Sequence, residues 1–271
     1  MSAWIANARM YAVTPEVESL WRRLLEQVRA EADVALEYLP YPAPRPLEDL
    51  WRRPDLGAVL MCGYPIALKL ADVQPIAAPI PNAPWAGGRA VYRTDLIVRE
   101  DSSYERLEDT FGARAGWTVA HSHSGFNAFR HHLLAHRTPT RTHLYREMVG
   151  NLVTARNVLD AVRERRIDVG PLDAYWHLLI ARHAPQLVEG VRVLASTALA
   201  PMPAFVAAGN VPAAEVARLK AAFTSAAKKP WFAELADPLM LEGFAQVDRA
   251  GFELALQWDR EARMAGYAQP A

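Results

Sequence analysis

Two hydroxyls and a glycine fall together at Ser122-His123-Ser124-Gly125, between an apolar stretch and a helix-forming one that runs to Arg130. The pattern predicts a β-strand ending at Ala120, a turn, and a helix N-terminus. Such a turn is suited to holding an anion. The first N–H groups of a helix lack intrahelical acceptors and carry partial positive charge. Ser122 and Ser124 add hydroxyl donors, and Gly125 lets the backbone approach a ligand closely. The plainer reading of these residues is helix capping, where Ser is favoured in any case. His121 and His123 are expected to flank the anion in their protonated form. His121-x-His123 with His131 or His132 also supplies metal-ligand types, but no carboxylate stands beside them and no metal is assigned.

Three further positions carry chemistry. Cys62-Gly63-Tyr64 closes an apolar run, Tyr11 follows the first strand, and Asp173 follows Pro171-Leu172. A nucleophilic Cys62 would need a base and an electropositive setting, and a buried strand end is the simpler account. Asp173 is either a ligand contact or a turn former. No catalytic residue and no cofactor is assigned. No Gly-x-Gly-x-x-Gly, P-loop or Gly-x-Ser-x-Gly sequence supports a dinucleotide, nucleoside triphosphate or hydrolase reading.

The elements that must position these residues follow from periodicity and punctuation. Trp4 to Tyr11 predicts a strand. Thr14-Pro15 predicts a capped helix whose apolar face is Val17, Leu20, Trp21, Leu24, Leu25 and Val28. Strands are expected at 34–39, 56–62, 74–80, 91–98, 167–173 and 191–198, with extended chain resuming at 204–208. Helices are expected at 47–53, from the Ser102-x-x-Glu105 capping box onward, and at 157–165, 174–183 and 212–227. The tail from Phe244 to Met264 reads as mostly helical. Strands alternating with helices predict an α/β fold with largely parallel sheets, which bind ligands beyond the C-terminal ends of their strands. Tyr11, Cys62-Gly63-Tyr64, Ser122–Gly125 and Asp173 all sit at such ends.

The chain has 271 residues, enough for one large domain or two lobes. Hydrophobic residues make up 51% and charged residues 22%, which suits a substantial core and argues against disorder. Lys+Arg and Asp+Glu both count 30, so bulk charge gives no reason to expect nucleic acid as a partner. The single cysteine rules out an intramolecular disulfide and cysteine-rich zinc sites. No apolar run predicts membrane insertion. The sequence as written shows no signal peptide, so the expected location is cytoplasmic, or periplasmic if a leader has been trimmed.

The order of these segments resembles the phosphate/phosphonate substrate-binding family of ABC importers. The resemblance rests on Asp55–Pro65, Val91–Arg99, Asp101-Ser102, Leu107-Glu-Asp109, Phe111-Gly112 and the Ser122–Gly125 turn. It continues through Ala161–Asp173, a strand with two Asp residues after a helix, and Val191–Ser196 followed by Pro201. It implies a two-lobed type II periplasmic-binding-protein-like fold, with two mixed, mostly parallel sheets joined by two crossover strands near 92–95 and 194–199. Lobe one would comprise residues 1–93 and 198–271, and lobe two residues 94–197, with the ligand between them and closure by hinge motion.

The resemblance also implies roles. Ser122, Ser124 and Gly125 would hold a phosphonate or phosphate group, and Tyr92 and Thr94 would touch the ligand from a hinge strand. Asp173 would face its organic end, and Cys62, Gly63 and Tyr64 would form the opposite wall. Where the family has a small residue–x–His motif, this chain has Thr154-Ala155-Arg156. Arg156 is expected to replace the histidine as a bidentate anion partner. The expected function is binding of a small anionic solute without chemistry, with an ABC permease as partner. The alternatives are an enzyme on the same fold acting on a small acid in cofactor biosynthesis, and an intracellular ligand sensor.

Overall fold

Residues 3–271 are described by a computed structural model. The chain opens with β1 (Trp4–Asn7), α1 (Pro15–Ala32), β2 (Leu36–Tyr38), α2 (Leu47–Trp51), β3 (Leu56–Met61), α3 (Gly63–Ala67), β4 (Val73–Pro81) and β5 (Val91–Tyr92). It continues with β6 (Thr94–Arg99), β7 (Arg114–Gly116), α4 (Phe129–Leu133), β8 (Glu147–Val149), α5 (Ala155–Arg163), β9 (Val169–Asp173), α6 (Ala174–His183) and β10 (Val191–Ser196). It closes with β11 (Ala200–Pro201), β12 (Ala204–Ala208), α7 (Ala213–Ser225), α8 (Ala233–Ala236), β13 (Leu241–Gln246) and α9 (Glu253–Met264).

The chain divides into two units, residues 1–92 with 201–253, and residues 93–200 with 254–271. Unit 1 is built on a six-stranded sheet ordered β13-β4-β12-β3-β1-β2. Its pairs β1–β2 and β1–β3 are parallel, while β3–β12, β12–β4 and β4–β13 are antiparallel. α1 starts as the sequence predicts, with Thr14 Oγ1 accepting from Val17 N at 3.3 Å. It buries Val17, Trp21, Leu24, Leu25 and Val28, the expected stripe without Leu20. Trp21 meets Phe205 at 6.0 Å between ring centroids, and Phe205 stacks on Phe223 at 4.7 Å. Each such aromatic pair adds about 1 kcal/mol beyond its buried area.

Unit 2 has a five-stranded sheet ordered β10-β6-β9-β7-β8. Here β7–β8 and β7–β9 are parallel, while β10–β6 and β6–β9 are antiparallel. Its core gathers Leu96, Val98, Phe129, Val169 and Tyr267. Both sheets are therefore mixed, and parallel pairing occupies only one end of each.

The structure corrects several expectations. The first strand stops at Asn7, and Arg9–Tyr11 forms a 3-10 turn started by Asn7 Oδ1 accepting from Arg9 N at 2.9 Å. Ser102 begins no helix. Its hydroxyl donates to Arg99 O at 2.7 Å, and the next turn forms at Leu107–Thr110. Asp109 caps that turn by accepting from Glu105 N and Arg106 N. The 91–98 strand is broken at Arg93 into β5 and β6, and the chain passes from unit 1 to unit 2 there.

The tail departs furthest. Leu241–Gln246 is a strand paired with β4, not a helix. The expected return of 198–271 to lobe one holds only to Glu253, because residues 254–271 cluster with unit 2. Buried polar contacts hold α9 there. Asn127 Nδ2 donates to Ala255 O at 2.8 Å, and Arg130 Nη2 to Asp259 Oδ1 at 2.5 Å.

Candidate functional site

In unit 2 the strand β7 ends at Gly116, four residues before the expected boundary. Residues 117–121 lead to Ser122, which caps the following turn by accepting from Gly125 N at 3.0 Å. The turn His123–Ala128 is π-helical, closed by Asn127 N donating to Ser122 O at 3.0 Å, and it runs straight into α4. Single π turns of this kind recur at functional sites. The capping reading is thus correct for Ser122, and it leaves the hydroxyl proton free to donate. Ser124 is 8% exposed, and among the described residues no group bonds its hydroxyl.

Gly125 serves packing. A Cβ there would run into Thr118 Oγ1, and Thr118 N donates to Gly125 O at 3.1 Å. Thr118 Oγ1 is itself buried, with no hydrogen-bond partner among the described residues. Nothing in the sequence marked Thr118, since a Thr near a strand end is ordinary. The crowding at Gly125 exists only once the loop folds back.

β6 and β9 bring two more of the expected residues to this turn. Thr94 Oγ1 donates to Ser124 O at 3.1 Å, and Thr94 lies opposite Asp173 in the antiparallel register. Asp173 caps α6, its Oδ1 accepting from Tyr175 N at 2.9 Å and Trp176 N at 3.0 Å. Next to Thr94, the buried Asp95 accepts from Arg93, Ser196 and His177 at 3.2, 2.9 and 3.1 Å. That cluster fixes the start of β6 and was not anticipated. A lone Asp beside Thr in a strand gives no signal of its partners.

Two expected anion partners are placed otherwise. Arg156 turns along α5, pairing its Nε with Asp160 at 2.9 Å in an i, i+4 bridge with 43% of its side chain exposed. His123 is 2% exposed and stacks on Trp258 at 5.2 Å and 18°. Burial, with a smaller push from His131, lowers its pKa to about 3. His123 is therefore neutral at ordinary pH, contrary to the expectation of a protonated ring beside an anion.

Unit 1 gathers the remaining candidates. Tyr11 is buried, with its hydroxyl 4.0 Å from Met202 Sδ and its carbonyl accepting from Trp21 Nε1 at 3.2 Å. Cys62 ends β3 and lies 4.0 Å from the Tyr92 hydroxyl. Gly63 and Tyr64 open α3, and both are buried. A Cβ on Gly63 would stand 2.6 Å from Phe252 Cδ1. Tyr11, Tyr64 and Tyr92 are at most 2% exposed, which accords with aromatic packing.

Among the described residues, no group of three or more His, Cys, Asp or Glu side chains could hold a metal ion. No helix among them is long and apolar enough to cross a membrane.

The sequence profile of a family described as the ABC transporter phosphonate periplasmic substrate-binding protein matches residues 12–252. Among solved structures, the fold is similar to a binding protein component of an ABC phosphonate transporter from Pseudomonas aeruginosa. The TM-score is 0.79 at 14% identity, covering 98% of this chain and 88% of that one. It is also similar to PhnD1 from Prochlorococcus marinus, solved in complex with methylphosphonate. There the TM-score is 0.78 at 13% identity, covering 96% and 98%. The aliphatic sulphonate binding protein SsuA from Escherichia coli gives a TM-score of 0.59 at 15% identity, covering 99% and 89%. No curated protein matches the sequence.

Proposed function

Since the chain belongs to the phosphonate periplasmic substrate-binding family of ABC transporters, we propose that it binds a small phosphonate or phosphate ester through the Ser122–Gly125 turn of unit 2. The observation that carries this is the state of the two serines. Ser122 has spent one lone pair on Gly125 N and keeps its proton, while the Ser124 hydroxyl takes no partner among the described residues. Two donors on one helix turn, with the N-terminal end of the turn's dipole behind them, suit a tetrahedral oxyanion.

Thr94 belongs to the same cradle. Its hydroxyl ties β6 to the Ser124 carbonyl and so fixes which way the turn faces. Asp173, opposite Thr94 in the ladder, is proposed to select for a cationic or hydrogen-bonding organic end. Tyr11, Cys62, Gly63, Tyr64 and Tyr92, buried in unit 1, are proposed as further ligand contacts. Arg156 and the His123 ring take lesser parts, since one is paired within its own helix and the other is buried. The chain acts by binding and release, with an ABC permease as partner and the periplasm as its place of action.

Calorimetric titration of the purified chain with methylphosphonate, an aminoalkylphosphonate, inorganic phosphate and an alkylsulphonate tests the reading. Saturable binding of a phosphonate, lost when Ser122 and Ser124 are both changed to Ala, is the expected result. Affinity unchanged in that double variant would refute the assignment of the turn.

A further inference from the structure

The buried side of the Ser122–Gly125 turn is held by the C-terminal helix. Four side chains of the π turn and the helix after it reach α9. His123 stacks on Trp258 at 5.2 Å and 18°, and His131 stacks on Trp258 at 4.7 Å and 5°. Asn127 donates to Ala255 O and accepts from Arg130 Nη2 at 2.7 Å. Arg130 is fully buried, donates to Asp259 Oδ1 and, through Nη1, to Ala268 O at 2.6 Å, and lies 4.9 Å over the Phe126 ring. Asp259 Oδ2 accepts in turn from Arg263 Nε at 2.8 Å.

A π turn is an uncommon way to open a helix and needs support from outside itself. Here that support is two stacked ring contacts on Trp258 and a buried charge pair, all short and geometrically demanding. We infer that α9 is part of the anion-binding apparatus, with Trp258 and Asp259 as positioning residues that hold the turn through His123 and Arg130 rather than by touching the anion. This rests on the proposed role of the turn in phosphonate binding. It adds that affinity is set partly by a segment of the chain that returns to unit 2 more than a hundred residues after the serines.

The full chain is titrated with methylphosphonate and with inorganic phosphate, well below the melting temperature of every variant. Trp258→Ala and Asp259→Ala are expected to weaken binding on the order of tenfold, a size common for removal of a supporting partner behind a liganding group. Trp258→Phe, which keeps an aromatic face, should restore most of it. Val162→Ala, on the buried face of α5 and away from this contact, reports what lost stability alone does and should leave affinity unchanged. If Trp258→Ala fails to fold, Trp258→Leu replaces it, filling the volume without a stacking face, and should still bind more weakly than Trp258→Phe. Wild-type binding with Trp258→Leu or Trp258→Ala and Asp259→Ala binding equally well overturns the inference alone. A wild-type chain that binds neither probe overturns the reading on which it rests, and this inference with it.

Discussion

Thr94 Oγ1 donates to the carbonyl of Ser124 at 3.1 Å, joining the first residue of β6 to the turn that carries both candidate serines. The bond is buried, so it restrains the cradle rather than decorating it. A buried carbonyl left without its donor costs about 1–3 kcal/mol.

Thr94→Val keeps the shape and removes that donor. We expect about 1–2 kcal/mol lower unfolding stability in urea and a several-fold weaker affinity for methylphosphonate. Equal affinity at lower stability would place Thr94 in the scaffold only.

The two serines should separate. Ser122→Ala removes the cap to Gly125 N and is expected to cost about 1 kcal/mol of stability as well as affinity. Ser124→Ala removes a hydroxyl without a protein partner, so stability should stay within about 0.5 kcal/mol. Its affinity should drop on the order of tenfold, about 1.4 kcal/mol. Paired melting curves and titrations decide the matter, and a Ser124→Ala protein that binds as well as wild type removes that residue from the site.

Gly125→Ala forces a Cβ against Thr118, and overpacking of this kind costs about 1–3 kcal/mol. Thr118→Ala shortens the opposing side chain, so the double variant should recover part of the loss. A double-mutant cycle measures the coupling. Strict additivity would mean that the loop relaxes away from Thr118.

Acid should weaken the fold through His123. The unfolded ring takes a proton near pH 6.5, whereas the folded ring resists it down to about 3. Its contribution is therefore fully present above pH 6.5, is lost as pH falls through the interval between those values, and changes no further below it. The slope is at most about 1.4 kcal/mol per pH unit for one group. His123→Phe retains a ring for Trp258 and cannot titrate, so its stability profile should be flatter between pH 6 and 4, as followed by urea denaturation. Parallel profiles for the two proteins would refute the assignment.

What the sequence determined by itself was local. Thr14-Pro15 and its apolar stripe specify α1, and the run of strands and helices specifies an α/β chain. The helix start at Ser122–Gly125 was legible because Ser is a favoured cap, and Ser122 does accept from Gly125 N. Ser102-x-x-Glu105 misled because a capping box needs an apolar stripe behind it, and Asp109 offered the backbone a better cap three residues after Arg106.

Only the tertiary structure decided which distant groups meet. Asp259 lies on a buried helix stripe with Ala255, Trp258 and Ala262, and an acid on such a stripe needs a cation. That signal was present in the sequence, but nothing in it named Arg130 as the partner. The state of His123 was likewise undecidable from its neighbours in the chain. Solvent exposure sets a histidine's charge, and His123 is buried with its ring stacked on Trp258, 135 residues away. Spacing fixes what a segment can do locally. Desolvation and charge pairing depend on what the folded chain brings against it.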